Sequence, residues 1–309
     1  MDTNWVWLWV PVTIAAAALQ TGRNAIQKGL TEQLGTLGAT QVRFVFGLPF
    51  AGVFLLLALW ATGNELPDIS WRFAAFVLVG ALAQIAATAL MLAAMRLRDF
   101  VVVTVWTKTE PVQIALFGSL VLGDTLSLWS VIAISTATLG VVWMAYRPRS
   151  SVGSSADPNT GSGWQPIVLG LAAAAAFAVA AVGFRGAILE LPSGNFLVRA
   201  CTTLVYGLLI QSVVLAVWLA WRDPEMWRRC LNAWRLSFVG GFLGAAASQG
   251  WFIGFALTSA ANVRTLALVE VFFAQLVSRR LFQGRTTARE RVGMTLIVLG
   301  VGVLLWLQT

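Results

Sequence analysis

The sequence predicts an all-α membrane protein of ten transmembrane helices, arranged as two inverted five-helix repeats. Three observations predict it. First, 58 % of the 309 residues are hydrophobic and the mean hydropathy is +0.79, against 21 Lys and Arg and 13 Asp and Glu. That is too little polar surface for a soluble chain of this length. Second, apolar windows long enough for roughly 30 Å of hydrocarbon recur at about 5–27, 37–60, 72–95, 100–121, 127–146, 165–187, 195–220, 236–259, 263–282 and 289–308. Third, one polar stretch rich in Gly, Ser and Pro, RPRSSVGSSADPNTGSGWQP from Arg147 to Pro166, divides these windows five and five. The chain therefore reads as a first repeat over 1–146, a cytoplasmic linker over 147–164 and a second repeat over 165–309.

The first window follows Met1 to Asn4, which hold no basic residue, so it reads as a spanning helix and not as a cleaved leader. The two halves echo each other in order. TQVRFVFG (Thr40 to Gly47) is matched by FLVRACTTLVYG (Phe196 to Gly207), and WRFAAFVLVGAL (Trp71 to Leu82) by WRLSFVGGFLGA (Trp234 to Ala245). TEPVQIALFGSLVLGD (Thr109 to Asp124) aligns with VEVFFAQLVSRRLFQG (Val269 to Gly284), which sets Glu110 over Glu270. Five crossings per half is odd, so the second copy enters the bilayer upside down.

Loop charge sets the expected orientation. Lys28, Arg96, Arg98, Arg147, Arg149, Arg222, Arg228, Arg229, Arg235, Arg279, Arg280, Arg285, Arg289 and Arg291 all lie in the connections that follow odd-numbered windows or at the window ends beside them. The opposite side has Arg72 as its clear loop cation, with Asp2, Glu65, Asp68, Asp124 and Glu190. The positive-inside rule makes the first side cytoplasmic and both termini extracytoplasmic. Many of the fifteen tryptophans, Trp60, Trp71, Trp129 and Trp306 among them, fall at window ends, where indole rings anchor spans at the interface.

Several function classes drop out. The net charge of +8 is dispersed between apolar runs, unlike a nucleic-acid groove. With no His and two Cys, Cys201 and Cys230, a metal site or a cofactor is not expected. There is no Walker sequence and no Gly-x-Ser-x-Gly elbow, so the chain does not read as an enzyme.

What remains is charge inside the spans. Lys108 stands about eight residues into its window, near 12 Å deep, where a lone charge costs at least about 2.5–3.5 kcal/mol. Residues two apart point about 200° apart on a helix, so Lys108 and Glu110 are expected to serve different neighbours. Thr107, Glu110 and Gln113 share a face and form a candidate substrate-binding stripe, with Pro111 expected to kink the helix. Gln20, Arg23 and Gln27 form a similar stripe on the first helix, and Gln84, Gln249 and Glu270 complete the candidate binding set. Glu110 and Glu270 are the candidate coupling residues. They could instead be neutralised by Lys108 and by embedded arginines; Arg43, Lys108, Arg199 and Arg264 are read as charge-compensating or structural. The excess of embedded cations favours an anionic or zwitterionic substrate.

The five-helix repeats, the Pro-containing fourth helix, the run LFGSLVLGDTLSLWSVIAISTATLGVVWMA (Leu116 to Ala145) and the Arg early in the second helix of each half resemble the EamA-type branch of the drug/metabolite transporter superfamily. The second copy departs from that pattern: Val271 stands where Pro111 would, and Gln283 and Gly284 replace Gly123 and Asp124. The resemblance implies a multi-pass carrier of the inner membrane with a central cavity between its halves, and no particular substrate. The sequence thus reads as a secondary transporter of a small polar metabolite or drug, working by alternating access with protons as candidate coupling ions. A translocator of lipids or lipid-linked headgroups, and a membrane scaffold that transports nothing, are the two alternatives.

Overall fold

The computed structural model describes residues 7–97, 106–145, 164–273 and 287–307. Side chains at 25, 27–29, 31–32, 36–37, 95–97, 145 and 231 lie outside that description, so Gln27 does too, as does nearly all of the expected linker. The protein is all-α and multi-spanning. Its helices are α1 (Trp9–Val45), α2 (Gly47–Thr62), α3 (Trp71–Leu97), α4 (Glu110–Leu122), α5 (Leu128–Ala145), α6 (Gln165–Glu190), α7 (Phe196–Arg222), the short α8 (Met226–Asn232), α9 (Trp234–Leu257), α10 (Ala260–Leu266) and α11 (Ala288–Trp306). Five described segments are long and apolar enough to cross a membrane: Gly38–Thr62, Trp71–Ala94, Gln165–Glu190, Phe196–Arg222 and Trp234–Leu257.

No loop parts the first two windows. Helix α1 runs through the expected gap and breaks at Gly35, whose φ of 66° suits a residue without a Cβ. Helices α2 and α4 end on Gly63 and Gly123, both left-handed, the usual way for a helix to stop. Side-chain caps start three others: Asn195 Oδ1 accepts from Val198 N on α7, Ser259 Oγ from Asn262 N on α10, and Thr287 forms a capping box with Glu290 on α11.

The helices pack in antiparallel pairs through small residues, as expected where lipid supplies no hydrophobic drive. On α1 and α9, Thr13 meets Gly254, Ala16 meets Gly250 and Leu30 meets Gly240, one chain rising as the other falls. Helices α3 and α6 meet in the same sense, with Gly80 against Gly183 and Phe76 against Gly186. A third pair joins α5 to α11 at Gly140 and Gly293, and a fourth joins α2 to α7, where Cys201 Sγ reaches Phe54 O at 3.7 Å. Outward faces remain apolar, Trp60, Leu120 and Trp221 being highly exposed, as lipid contact requires.

Candidate functional site

Helix α4 does not run straight into its charged stretch. Trp106 and Thr107 are helical, Lys108 and Thr109 form a turn, and the helix restarts at Glu110 with Pro111 second. Proline has no N–H to return to the carbonyl four residues back, so the break falls where the expected kink lies. The other half has no proline at this point, yet it breaks too. A 3-10 turn over Ala267–Val269 follows α10, and helical geometry resumes at Glu270. Each glutamate therefore opens a helical stretch just after a break.

These breaks change what Lys108 and Glu110 can reach. Two residues apart on an unbroken helix, they would serve different neighbours. Here both turn to the segment 260–273: Lys108 Nζ pairs with Glu270 Oε1, and Arg264 grips Glu110, Nε to Oε1 at 2.9 Å and Nη2 to Oε2 at 2.8 Å. The partners stand six residues apart, so the two salt bridges link the same two segments, 108–110 and 264–270, side by side.

Two further side chains close these pairs into a ring. Gln20 of α1 donates from Nε2 to Glu270 Oε2 at 3.2 Å and accepts at Oε1 from Trp251 Nε1 of α9 at 3.1 Å. The Trp251 ring in turn lies 5.3 Å from the Arg264 guanidinium carbon, a cation–π distance. Gln20, Lys108, Glu110, Trp251, Arg264 and Glu270 thus join α1, α4, α9 and α10 in one electroneutral circuit. Trp251 was not among the residues singled out from the sequence. A tryptophan 17 residues past Trp234, well inside a span, needs a partner for its N–H in hydrocarbon, and that was the available signal.

The other expected residues fall around this ring or apart from it. Thr107 is buried beside Lys108, and Gln113 turns back to Thr109, Nε2 to Oγ1 at 3.2 Å. Arg23 lies one turn beyond Gln20, and its stem and that of Arg43 flank Gly244 of α9. Gln84 accepts from Gln211 Nε2 across α3 and α7, beside a cavity of about 10 Å³ shared with Phe44, Ser248 and Phe252. That is room for about one water. Gln249, two residues from Trp251, is turned away from the ring by helical geometry and is 8 % exposed. Arg199 Nε reaches only the Ser193 carbonyl, at 3.4 Å, in the loop before α7.

A second polar knot forms where α4, α6 and α9 end together. Arg185 of α6 donates from Nη2 to Asp124 Oδ1 at 3.0 Å and from Nη1 to Phe255 O at 2.7 Å and to Thr258 O. From the sequence, Asp124 was counted among the loop charges and Arg185 was not singled out.

With this geometry in hand, similarity to known proteins can be read. Residues 7–146 match the EamA-like transporter family. The sequence matches none of the curated proteins. One solved protein, described simply as a crystal structure of protein, superposes over 97 % of this chain and 96 % of its own with a TM-score of 0.70 at 16 % identity. At that identity the likeness shows a shared fold, which extends over nearly the whole chain. The matched family is one of transport proteins, not of enzymes, and among the described residues no group of His, Cys, Asp or Glu is placed to hold a metal ion. Over residues 7–146, a little under half of its length, the chain is thus similar to the EamA-like transporter family.

Proposed function

We propose that the whole chain is an EamA-type secondary carrier of the inner membrane, moving a small polar metabolite or drug of anionic or zwitterionic character by alternating access. Ten spans form two inverted repeats, joined by the linker at 147–164. The packing supports this reading: the antiparallel pair α3 and α6 recurs as α9 and α1, the relation that an inverted repeat imposes. The loop cations favour an orientation with both termini outside the cytoplasm.

The observation that carries the proposal is the ring. Two salt bridges at midspan link residues on either side of the linker, at paired breaks in their helices, which is where carriers of this architecture bind and couple. The bridges are also what must yield when one half rocks against the other. Protonating Glu110 or Glu270 releases Arg264 or Lys108 and supplies the coupling step; Thr107, Gln20 and Arg23 then contact the substrate.

One observation favours lipid translocation as a second reading. A groove of about 360 Å³ lies between α5 and α11, lined by Trp129, Ile132, Leu299 and Trp306 among others. Its lining is apolar and shares no residue with the ring, so it suits an acyl chain better than a headgroup.

Proteoliposomes test the two together. The carrier reading predicts counterflow of at least one member of a panel of labelled anionic, zwitterionic, neutral and cationic metabolites, with no transfer of labelled lipid between leaflets. Lipid transfer without counterflow favours the second reading, and the absence of both overturns each.

A further inference from the structure

The ring balances its own charge, Lys108 and Arg264 against Glu110 and Glu270, but its flank does not. Arg23 and Arg43 come from α1, and their stems close on Gly244 of α9: a Cβ there would stand 3.6 Å from Arg23 Cδ and 3.4 Å from Arg43 Cγ. Arg23 interacts electrostatically with Arg264, and Arg43 with both. Among the described residues, the four carboxylates in ion pairs are taken elsewhere: Glu270 by Lys108, Asp124 by Arg185, Asp223 by Arg229 and Glu110 by Arg264.

Arg23 is 8 % exposed; its Nη2 donates to Asn24 Oδ1 at 2.6 Å, and among the described residues its Nε meets no acceptor. A buried guanidinium with an idle donor, beside a second one that no described carboxylate pairs, is stabilised by a group that brings negative charge to it. The planar donor fork of arginine fits the oxygens of phosphoryl and carboxylate groups. Both stems lie beside Gly244, and Gln20, one turn from Arg23, ties this flank to the ring.

We propose that Arg23 and Arg43 seat the oxyanion of the transported solute, and that the preferred group carries two negative charges, as a phosphoryl group or a pair of carboxylates does. The proposal rests on the carrier reading for its biological meaning. The binding itself is a property of the protein alone. Two guanidiniums that no described carboxylate pairs match two charges, and a dianion there also competes with Glu110 for Arg264. Substrate binding and loosening of the ring are thereby one event.

Thermal unfolding of the full chain in detergent tests it, with inorganic phosphate, succinate, glycerol or tetramethylammonium added at constant ionic strength. Phosphate, succinate or both raise the wild-type midpoint on the order of 3 °C; the neutral and cationic probes do not. Which dianion acts tells a phosphoryl seat from a dicarboxylate one. Arg23→Gln and Arg43→Gln abolish the shift, whereas Arg72→Gln, at the start of α3, retains it. If a Gln variant fails to fold, Arg23→Lys and Arg43→Lys are read instead. These keep the charge without the fork, and the shift shrinks. A wild-type protein indifferent to both dianions, or an equal shift in wild type and the Arg23 and Arg43 variants, overturns the proposal. Counterflow of a neutral or cationic solute that Glu110→Gln abolishes and Arg23→Gln leaves unchanged overturns it too, while the carrier reading stands.

Discussion

Arg264 holds Glu110 by two nitrogens at 2.9 and 2.8 Å, fastening the start of α4 to α10. Both side chains are largely sheltered, at 20 % and 11 % exposure, so each leaves a stranded charge when its partner is removed. Glu110→Gln or Arg264→Gln is expected to lower stability by about 3–5 kcal/mol. The double substitution should recover most of that loss, since neither charge is left behind. A double-mutant cycle on unfolding in detergent measures the coupling, and additive losses would mean the pair is not formed.

Trp251 has two separable roles, a ring against Arg264 and an N–H to Gln20. Trp251→Phe keeps the ring and removes the donor, at an expected cost of about 1 kcal/mol. Trp251→Ala removes both and leaves a cavity, for about 3–5 kcal/mol. Equal losses in the two variants would show that the ring contact contributes nothing.

The knot of Arg185 with Asp124, Phe255 O and Thr258 O closes one end of the bundle. Asp124→Asn weakens a charge-assisted bond worth about 1.5–3 kcal/mol, enough to raise the open population about tenfold or more. A cysteine placed at Ala256, with Cys201 and Cys230 replaced by Ser, should then react correspondingly faster with a membrane-impermeant maleimide. An unchanged rate would mean this end opens without releasing Arg185.

Glycine spacing makes a paired prediction on α11. A Cβ on Gly300 would fall 2.6 Å from the Ala133 carbonyl oxygen and 2.7 Å from Ala137 N, both backbone atoms that cannot step aside. One on Gly302 meets nothing within 4 Å. Gly300→Ala should therefore cost about 1–3 kcal/mol by forcing α5 and α11 apart, while Gly302→Ala leaves the unfolding midpoint near that of wild type.

Much of this was legible in the sequence, for a physical reason. Ionisable groups in hydrocarbon are so costly that Lys108, Glu110, Arg264 and Glu270 announce themselves, and so does their need for partners. Which partner each takes was not legible. The assignment depends on breaks at Lys108–Thr109 and Ala267–Val269, and the second has no proline to signal it. An ideal helix sends Lys108 and Glu110 to different neighbours; two broken ones let both face one segment. Helical periodicity placed Gln20 and Arg23 together, but the turn of α9 that points Trp251 inward and Gln249 away follows from its packing on α1. The knot at Arg185 joins loop and span residues of different halves, a contact that hydropathy windows do not encode.

The most direct test of the midspan ring as the working part of a carrier is counterflow by reconstituted protein carrying Glu110→Gln or Glu270→Gln. For a solute that the wild type exchanges, each variant is expected to slow exchange at least tenfold while keeping a folded, monodisperse protein. Exchange at the wild-type rate in both variants would contradict the account.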